Sequence, residues 1–316
     1  MVVPLFIGLF DVQSAFDVVQ YIILMDKLFD QTIPLELWSI IDDMYSGLTT
    51  RVKWKGELSN TYPVLQGVSQ GGILSTHLYK IFVQDLLSEL EENSLGYHLG
   101  NVYIGTPTCA DDVAIIERDS NNLQTMINVI SRYAKQHHYK INPLKTRIHD
   151  CSKHPSVDEC WEMNGIDIKP SYSAVHLGVT RSGIKEVELN IEERIKCARR
   201  TQYGLLRTGF HGTNGIDPIT AYQIYKSYVL PRLLYGLEIL PLTRTQINLL
   251  EGFHRKSIRY MQLLPQRTAV STVYLLIGAY PVEAKIHLRQ LPLLYSLLSC
   301  HNGKIKEVVS RQISVN

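Results

Sequence analysis

The sequence predicts an α+β fold over residues 1–184, followed by an all-α part over residues 185–316. Three observations support this division. Before residue 184, short apolar runs typical of buried strands alternate with stretches of helical periodicity. After it, four stretches of helical periodicity are separated by clusters of Gly, Pro or Asn. The charge balance also changes along the chain, from acidic to basic.

Composition excludes several classes of protein. With 45% hydrophobic residues among 316, the chain can bury a sizeable core, which is incompatible with low-complexity disorder. No uninterrupted apolar run reaches the roughly 18 residues of a membrane-spanning helix, and the N-terminus has no basic flank of the kind that begins a signal peptide. The five scattered cysteines predict a reducing compartment and no disulfide framework.

The net charge of +2 conceals an asymmetry. Residues 1–200 contain 19 Lys and Arg against 25 Asp and Glu, whereas residues 201–316 contain 13 against 5. This pattern suits a protein whose first half binds cations and whose second half binds a polyanion. Ordinary solvated faces give the same balance, so charge alone leaves both interpretations open.

The first elements are a strand and two helices. The apolar run Leu5–Phe10 ends at Asp11, which predicts a buried strand with a carboxylate at its end. Residues 18–30 have apolar positions at helical spacing, and Asp17 is the predicted cap of this helix. A second helix is expected after Pro34, because proline favours the first turn.

A hairpin and a glycine-rich loop follow. Residues 49–62 alternate between polar and apolar and contain Lys55-Gly56-Glu57, a sequence typical of a hairpin turn. The loop Gln66–Gly72 leads into a helix predicted over Ser75–Glu92. Strands are expected at 102–104 and on either side of Asp111-Asp112.

The rest of the chain is predominantly helical. Residues 120–137 form a predicted helix capped by Asp119 or Ser120, and residues 150–171 are expected to be mostly loop with one short strand. Another strand is predicted over residues 172–180, followed by a turn at Ser182-Gly183. Further helices are predicted at roughly 186–208, 218–237, 243–261 and 282–300.

Adjacent carboxylates give the strongest chemical signal. Asp111 and Asp112 lie between apolar residues, where like charges require a counter-ion or a raised pKa. Mg²⁺ prefers carboxylates together with water and substrate phosphates. An Asp-Asp turn in a solvated hairpin is the alternative. Asp11, at the end of its own strand, favours the metal site, because two carboxylate-bearing strands can hold the two ions of a phosphoryl-transfer centre.

The loop between these carboxylates is rich in glycine. Glycines at Gly67, Gly71 and Gly72 let the backbone approach a ligand closely, and the N-terminus of the following helix attracts anions. A plain connection between strand and helix has the same composition, so the loop supports a site only through its position between the acidic strands.

In this order, the segments resemble the reverse transcriptases of non-long-terminal-repeat (LINE-like) retrotransposons. Five segments resemble the family's motifs A to E: Phe10–Asp17 (FDVQSAFD), Gln66–Ser75 (QGVSQGGILS), Ala110–Asp112 (ADD), Asn142–Thr146 (NPLKT) and His176–Val179 (HLGV). The resemblance covers residues 5–183 and continues more weakly beyond them.

The resemblance implies a role for each matching position. Asp11 and Asp111 would coordinate two Mg²⁺ ions, for which Mn²⁺ can substitute, with Asp112 beside them. Lys145 would protonate the leaving pyrophosphate, although an exposed loop lysine is the alternative. Phe16 would exclude a ribonucleotide 2′-OH, although a core aromatic residue is the alternative. The expected nucleotide contacts are Gln70, Gly71 and Gly72, and the expected primer grip is His176, Leu177 and Gly178.

The resemblance also implies fold, activity and partners. Residues 1–184 would form a polymerase palm with a ferredoxin-like antiparallel sheet, and residues 185–316 a helical thumb and C-terminal extension. The expected activity is RNA-directed DNA synthesis with an RNA template, a DNA primer and deoxynucleotides, in the nucleus or cytoplasm and away from membranes. Because only ten residues precede Asp11, the fingers are expected to be largely missing.

Other functions stay open on sequence alone. A catalytically silent remnant could bind RNA or an RNA–DNA hybrid through the basic C-terminal half. The palm could also serve another nucleotidyltransferase or a cyclase. A zinc site is a weaker alternative, because its candidate ligands lack the paired spacing of zinc modules. Those ligands are His149, Cys151, His154 and Cys160.

Overall fold

A computed structural model describes residues 4–152, 159–210 and 214–315. The chain divides into two compact units, residues 1–174 and 175–316. The division lies ten residues before position 184, because the strands of a hairpin over residues 173–182 belong largely with the second unit. There Asn190 donates a 2.8 Å hydrogen bond to the Thr180 carbonyl and accepts one of 2.9 Å from the Thr180 amide.

The described residues of the first unit form short strands and four helices. Its strands are β1 (Phe6–Phe10), β2 (Thr49–Thr50), β3 (Lys53–Trp54), β4 (Glu57–Leu58), β5 (Tyr62–Pro63), β6 (His98–Leu99), β7 (Val102–Tyr103), β8 (Thr108–Cys109), β9 (Asp112–Glu117), β10 (Arg147–Asp150), β11 (Trp161–Met163), β12 (Ile166–Ile168) and β13 (Pro170–Ser171). Its helices are α1 (Tyr21–Asp30), α2 (Leu35–Tyr45), α3 (Ser75–Glu92) and α4 (Ser120–Gln136). The predicted mixture of strands and helices is therefore confirmed.

A five-stranded sheet in the order β13-β10-β1-β9-β8 organises this unit. β1 lies at its centre and runs antiparallel to both β9 and β10. Phe6 pairs with Glu117 and Phe10 with Val113, so the C-terminal end of β1 meets the N-terminal end of β9. β13 is the exception, since it pairs with β10 in parallel.

One face of the sheet packs against α1, α3 and α4 to form the main core. Helix α4 has an apolar face, because Leu123, Ile127 and Ile130 recur at helical spacing and all are buried. Asp119 caps it by accepting hydrogen bonds of 2.9 Å from two backbone amides. The predicted cap at Asp119 and the predicted bounds of α3 are confirmed.

Two expectations for the first unit were wrong. Helix α1 begins at Tyr21 rather than residue 18, and its N-cap is Gln20, so Asp17 does not cap it. Instead Asp17 lies in a turn that is bonded to a distant loop, which local periodicity does not reveal. Where the structure describes the segment 150–171, it contains β11, β12 and β13 and not a single short strand, since β11 and β12 pair as a hairpin and β13 joins the main sheet.

The second unit is mainly helical. Strand β14 (Ser173–His176) crosses the boundary and pairs with β15 (Val179–Ser182). The helices are α5 (Glu186–Leu206), α6 (Pro218–Ile224), a π-helix (Tyr225–Val229), α7 (Leu230–Leu234), a 3₁₀-helix (Leu237–Ile239), α8 (Arg244–Met261), α9 (Val270–Leu275), α10 (Val282–Ser299) and α11 (Gly303–Val315). None of the described helices is long and apolar enough to cross a membrane.

The second unit also departs from the predicted elements. The hairpin turns at Leu177-Gly178, with φ of +48° and +72°, rather than at Ser182-Gly183. The helix predicted over 218–237 is divided, because Pro231 has no amide to donate and a wide π-turn precedes it. Helices α9 and α11 were not predicted.

Candidate active site

Strand register brings two acidic segments to one edge of the central sheet. Asp11 follows Phe10, the last residue of β1, and Asp112 precedes Val113, the β9 residue that pairs with Phe10. Asp11 and Asp112 therefore lie at the same end of two adjacent strands.

The turn between β8 and β9 presents Asp111. Cys109 pairs with Asp112, and Ala110 has a φ of +54°, which makes this a tight two-residue turn. The negative charge of Asp111 acts on the hydroxyl of Tyr79 in α3. Burial is the main cause of the raised pKa of Tyr79, and the negative charge of Asp111 contributes in the same direction.

Lys145 reaches the first of these carboxylates. Its Nζ lies 3.3 Å from Oδ2 of Asp11, although Lys145 itself is largely exposed. The segment is held in place by its backbone, since the Asn142 amide donates a 3.0 Å hydrogen bond to the Asp11 carbonyl. The sequence motif with the lysine is thus adjacent to the motif with the aspartate.

The glycine-rich loop is bonded to the segment after Asp11. The Gly67 amide donates to the Val19 carbonyl at 2.8 Å, and the Val68 amide donates to the Phe16 carbonyl at 2.7 Å. Tyr21 adds a 2.8 Å hydrogen bond from its hydroxyl to the Gly67 carbonyl. A Cβ on Gly67 would lie 3.0 Å from the Asp17 carbonyl oxygen, so this close approach requires glycine.

The Phe16 ring is supported from behind. Its centroid lies 5.2 Å from that of Tyr79, with a tilt of 33° between the rings. Tyr79 is only 2% exposed, whereas Phe16 is partly exposed at the edge of the core. The Phe16 ring is therefore held against Tyr79 of α3 at the edge of the core.

A cleft of about 550 Å³ lies along the loop. Gln66, Gln70 and Asp17 line it together with Thr49 and Thr50. These groups are neutral or negative, so the cleft suits an uncharged polar group better than a phosphate. Of the expected nucleotide contacts, Gln70 lines this cleft. Gly71 lies at an exposed position with a φ of +83°.

The carboxylates at this sheet edge supply some of the ligands that a metal ion needs. Oδ2 of Asp11 is shielded from solvent and accepts no hydrogen bond from the described residues, and the Lys145 ammonium group lies 3.3 Å from it, so this oxygen already lies beside a positive charge. Across the described ranges, no three Asp, Glu, His or Cys side chains cluster closely enough to enclose an ion. A hard cation would therefore take its remaining ligands from phosphate and water.

The zinc alternative gains no support from the residues that can be assessed. His149 is buried, and its Nδ1 lies 3.0 Å from the Ser171 carbonyl oxygen, an ordinary structural hydrogen bond. Cys151 and Cys160 form no disulfide, and His154 lies outside the described residues.

The segment expected to grip the primer belongs to the second unit. Tyr235 donates a 2.9 Å hydrogen bond from its hydroxyl to the Leu177 carbonyl, and Arg194 donates one of 2.7 Å to the Gly178 carbonyl. The Arg194 guanidinium also lies 5.3 Å from the Tyr235 ring centroid. His176 precedes this turn at the end of β14. Side chains far along the chain therefore fix the turn.

Sequence reasoning missed three residues that build the site. Tyr79 supports Phe16, Tyr21 bonds the glycine-rich loop, and the Asn142 backbone holds Asp11. Asn142 was within a recognised motif, but its partner was unknown. The aromatic residues gave only the signal of a helical apolar stripe, which does not identify the partner of any side chain.

Comparisons with known proteins identify the family. The sequence matches the family described as "Reverse transcriptase (RNA-dependent DNA polymerase)" over residues 6–180. The chain is 25% identical over 267 residues to "RNA-directed DNA polymerase from mobile element jockey" of Drosophila melanogaster, covering 81% of this chain and 28% of that protein. It is 23% identical to "Retrovirus-related Pol polyprotein from type-1 retrotransposable element R2" of Nasonia vitripennis, covering 84% and 26%.

The fold is similar to that of a solved structure, apo telomerase from Candida Tropicalis, with a TM-score of 0.47 and 13% sequence identity. The similarity covers 85% of this chain and 43% of that one. The chain spans little more than a quarter of the two mobile-element relatives. The family match covers more than half of the chain and includes every acidic residue at the sheet edge. The chain therefore belongs to the reverse transcriptase (RNA-dependent DNA polymerase) family, and its relatives are polymerases of LINE-like, non-long-terminal-repeat retrotransposons.

Proposed function

We propose that the chain is the catalytic part of an RNA-directed DNA polymerase, with the first unit as the palm and the helical second unit as thumb and C-terminal extension. Its substrates would be an RNA template, a DNA primer and deoxynucleotides. The observation that carries this proposal is the meeting of Asp11 with the Asp111-Asp112 turn at one sheet edge.

Asp11, Asp111 and Asp112 would hold two Mg²⁺ ions, or Mn²⁺ in their place. The bound ions supply charge stabilisation for the attacking and leaving oxygens of nucleotidyl transfer. Oδ2 of Asp11 is shielded from solvent and lies 3.3 Å from the Lys145 ammonium group, so it would bind an ion once that group moves to the phosphate. Asp112 is exposed at the start of β9, which suits a weaker contact.

Lys145 would neutralise and then protonate the leaving pyrophosphate. Its ammonium group lies 3.3 Å from Asp11 and is two-thirds exposed, so it can move from the carboxylate to an arriving phosphate. A positioned lysine acts as a general acid when its proton faces the leaving group. The reaction needs no covalent enzyme intermediate, because the primer 3′-OH attacks the α-phosphate directly.

The Phe16 ring would select deoxynucleotides. An aromatic ring held by Tyr79 cannot easily move aside for a ribose 2′-OH. Gln70, Gly71 and Gly72 would lie along the incoming nucleotide and the template base. Gly71 supports this role because it is exposed and has no side chain to obstruct a nucleotide, and its positive φ favours glycine at this position.

The second unit would bind the primer and the duplex. His176, Leu177 and Gly178 would contact the primer end, and the bonded turn described above gives that segment a defined shape. Exposed basic residues on α5, including Arg199 and Arg200, would contact the phosphate backbone.

Primer extension tests the proposal. The complete chain, an RNA template with an annealed DNA primer, deoxynucleotides and Mg²⁺ should give extension that Asp111→Asn abolishes. Asp167→Asn is the matched control, because Asp167 is also a hairpin carboxylate and occupies an exposed position in β12. Extension by Asp111→Asn at the unaltered rate would contradict the assignment. Salt-sensitive binding of the hybrid without any extension would indicate a silent nucleic-acid-binding remnant.

A further inference from the structure

The loop that carries Lys145 is a turn closed by its own hydrogen bonds. The Asn142 carbonyl accepts hydrogen bonds from the Lys145 amide at 3.2 Å, the Thr146 amide at 2.9 Å and the Thr146 hydroxyl at 2.9 Å. The Asn142 side chain accepts a further bond of 3.1 Å from the Leu144 amide. Thr146 is buried, whereas Leu144 and Lys145 are exposed. Lys145 therefore lies in the exposed part of a turn whose backbone has a defined shape.

A side chain just after the turn also holds it. The guanidinium Nη1 of Arg147 donates a 2.6 Å hydrogen bond to the Leu144 carbonyl and a 2.9 Å hydrogen bond to the Thr146 carbonyl. Leu144 and Thr146 immediately precede and follow Lys145, so one nitrogen bonds the backbone on both sides of the lysine. Hydrogen bonds from an ionised donor are stronger than those between neutral groups. The peptide units around Lys145 are therefore fixed by a charged group.

Arg147 is itself anchored in the central sheet. It is the first residue of β10 and pairs with Leu9 of β1, two residues before Asp11. The residue that holds the Lys145 turn and the carboxylate that Lys145 reaches therefore start from adjacent strands. Among the residues that the structure describes, no acid forms an ion pair with Arg147, so its charge is left to the two carbonyls.

We infer that Arg147 is a positioning residue for Lys145, fixing the turn so that the ammonium group stays 3.3 Å from Asp11 until a phosphate arrives. The inference rests on the proposed function, because it explains how an exposed lysine is kept in place as the proton donor. The proton moves from Nζ of Lys145 to an oxygen of the leaving pyrophosphate, and Arg147 neither gives nor takes one. A general acid must lie within hydrogen-bond reach of the group that it protonates, so the shape of the turn governs the rate.

Amide hydrogen exchange of the complete chain tests the positioning without any substrate. Arg147→Met keeps a long side chain but removes every donor, so the amides of Lys145 and Thr146 should exchange about fivefold faster, the factor that the loss of one hydrogen bond corresponds to. Arg147→Lys should restore slow exchange, because both bonds come from one nitrogen and an ammonium group has three donors. Arg118→Met is the control, since Arg118 is an exposed arginine of the same unit that is bonded to the Tyr97 hydroxyl instead.

Primer extension in two backgrounds separates positioning from a structural role. Lys145→Ala should lower kcat about 100-fold, the low end of what a general acid contributes. Arg147→Met should lower kcat about tenfold at an unchanged KM for the deoxynucleotide, since a misplaced acid weakens only the transition state. In the Lys145→Ala background, Arg147→Met should cause no further loss, because no ammonium group remains to be positioned. A purely structural residue would lower kcat by the same factor in both backgrounds.

Three results would overturn the inference. Unchanged exchange over residues 142–147 in Arg147→Met would show that the guanidinium group does not hold the turn. An equal loss of kcat with and without Lys145 would make Arg147 a structural residue. A raised KM at an unchanged kcat would make it a nucleotide contact. A chain that extends no primer at all would refute the proposed function alone, and the exchange rates would still decide whether Arg147 holds the turn.

Discussion

Replacing Gly67 with alanine should destabilise the first unit, because this glycine is needed for two separate reasons. Its φ is +97°, a conformation that side-chain-bearing residues rarely adopt, and the new Cβ would lie 3.0 Å from the Asp17 carbonyl oxygen and 3.2 Å from the Asp17 Cα. Both neighbouring atoms are backbone, so they cannot move aside as a flexible side chain would. The substitution therefore forces the glycine-rich loop away from the segment after Asp11.

Gly71 in the same loop separates the two costs. Its φ is +83°, but a Cβ there meets no atom within 4 Å. Gly71→Ala should thus cost only the backbone strain, about 1–2 kcal/mol, reduced by the lower entropy of the unfolded alanine chain. Gly67→Ala adds the overpacking term of about 1–3 kcal/mol. We expect the free energies of unfolding to differ by about 2 kcal/mol.

Urea denaturation followed by tryptophan emission measures this difference, because all three tryptophans lie in the first unit. The midpoint should fall much further for Gly67→Ala than for Gly71→Ala at an unchanged slope. Equal midpoints in the two variants would refute the reasoning, since they would show that contact with Asp17 contributes nothing.

Three further predictions concern the gate, a helix cap and pH. Phe16→Val, and to a smaller extent Tyr79→Leu, should increase ribonucleotide incorporation relative to deoxynucleotides in primer extension; unchanged selectivity would exclude a gate. Asp119→Ala should lower the free energy of unfolding by about 1 kcal/mol in urea, whereas Asp119→Asn should not. Burial lowers the pKa of His254 to about 4. Its stabilising contribution is therefore complete above pH about 6.5 and declines by up to about 1.4 kcal/mol per pH unit toward pH 4. His254→Gln should flatten this decline in urea titrations and His287→Gln should not.

Local patterns predicted the elements whose signals are local. The bounds of α3 follow from an apolar stripe, and the cap of α4 from Asp119. The same reasoning placed the start of α1 three residues early, because apolar spacing continues through the turn after Asp11. That turn is fixed by hydrogen bonds from Gly67 and Val68, which lie some fifty residues away in sequence.

The candidate site was predictable in its residues but not in its contacts. Asp11 and the Asp111-Asp112 turn are recognisable in the sequence because they are carboxylates next to apolar strands. The proximity of Lys145 to Asp11 depends on how β10 pairs with β1, which no local pattern contains. The turn at Leu177 was missed for the same reason, since leucine disfavours a positive φ and distant side chains hold it there.

The π-helix over Tyr225–Val229 has a consequence for insertions and deletions in the gene. A π-turn holds one residue more than an α-turn, as the bond from the Leu230 amide to the Tyr225 carbonyl shows. Loss of one codon here would return the turn to α-helical spacing and leave the faces of α6 and α7 in phase. The same loss within α5 would rotate every later side chain of that helix by about 100°. A single-residue deletion is therefore better tolerated in this segment than in α5, because the buried faces of α6 and α7 keep their orientation.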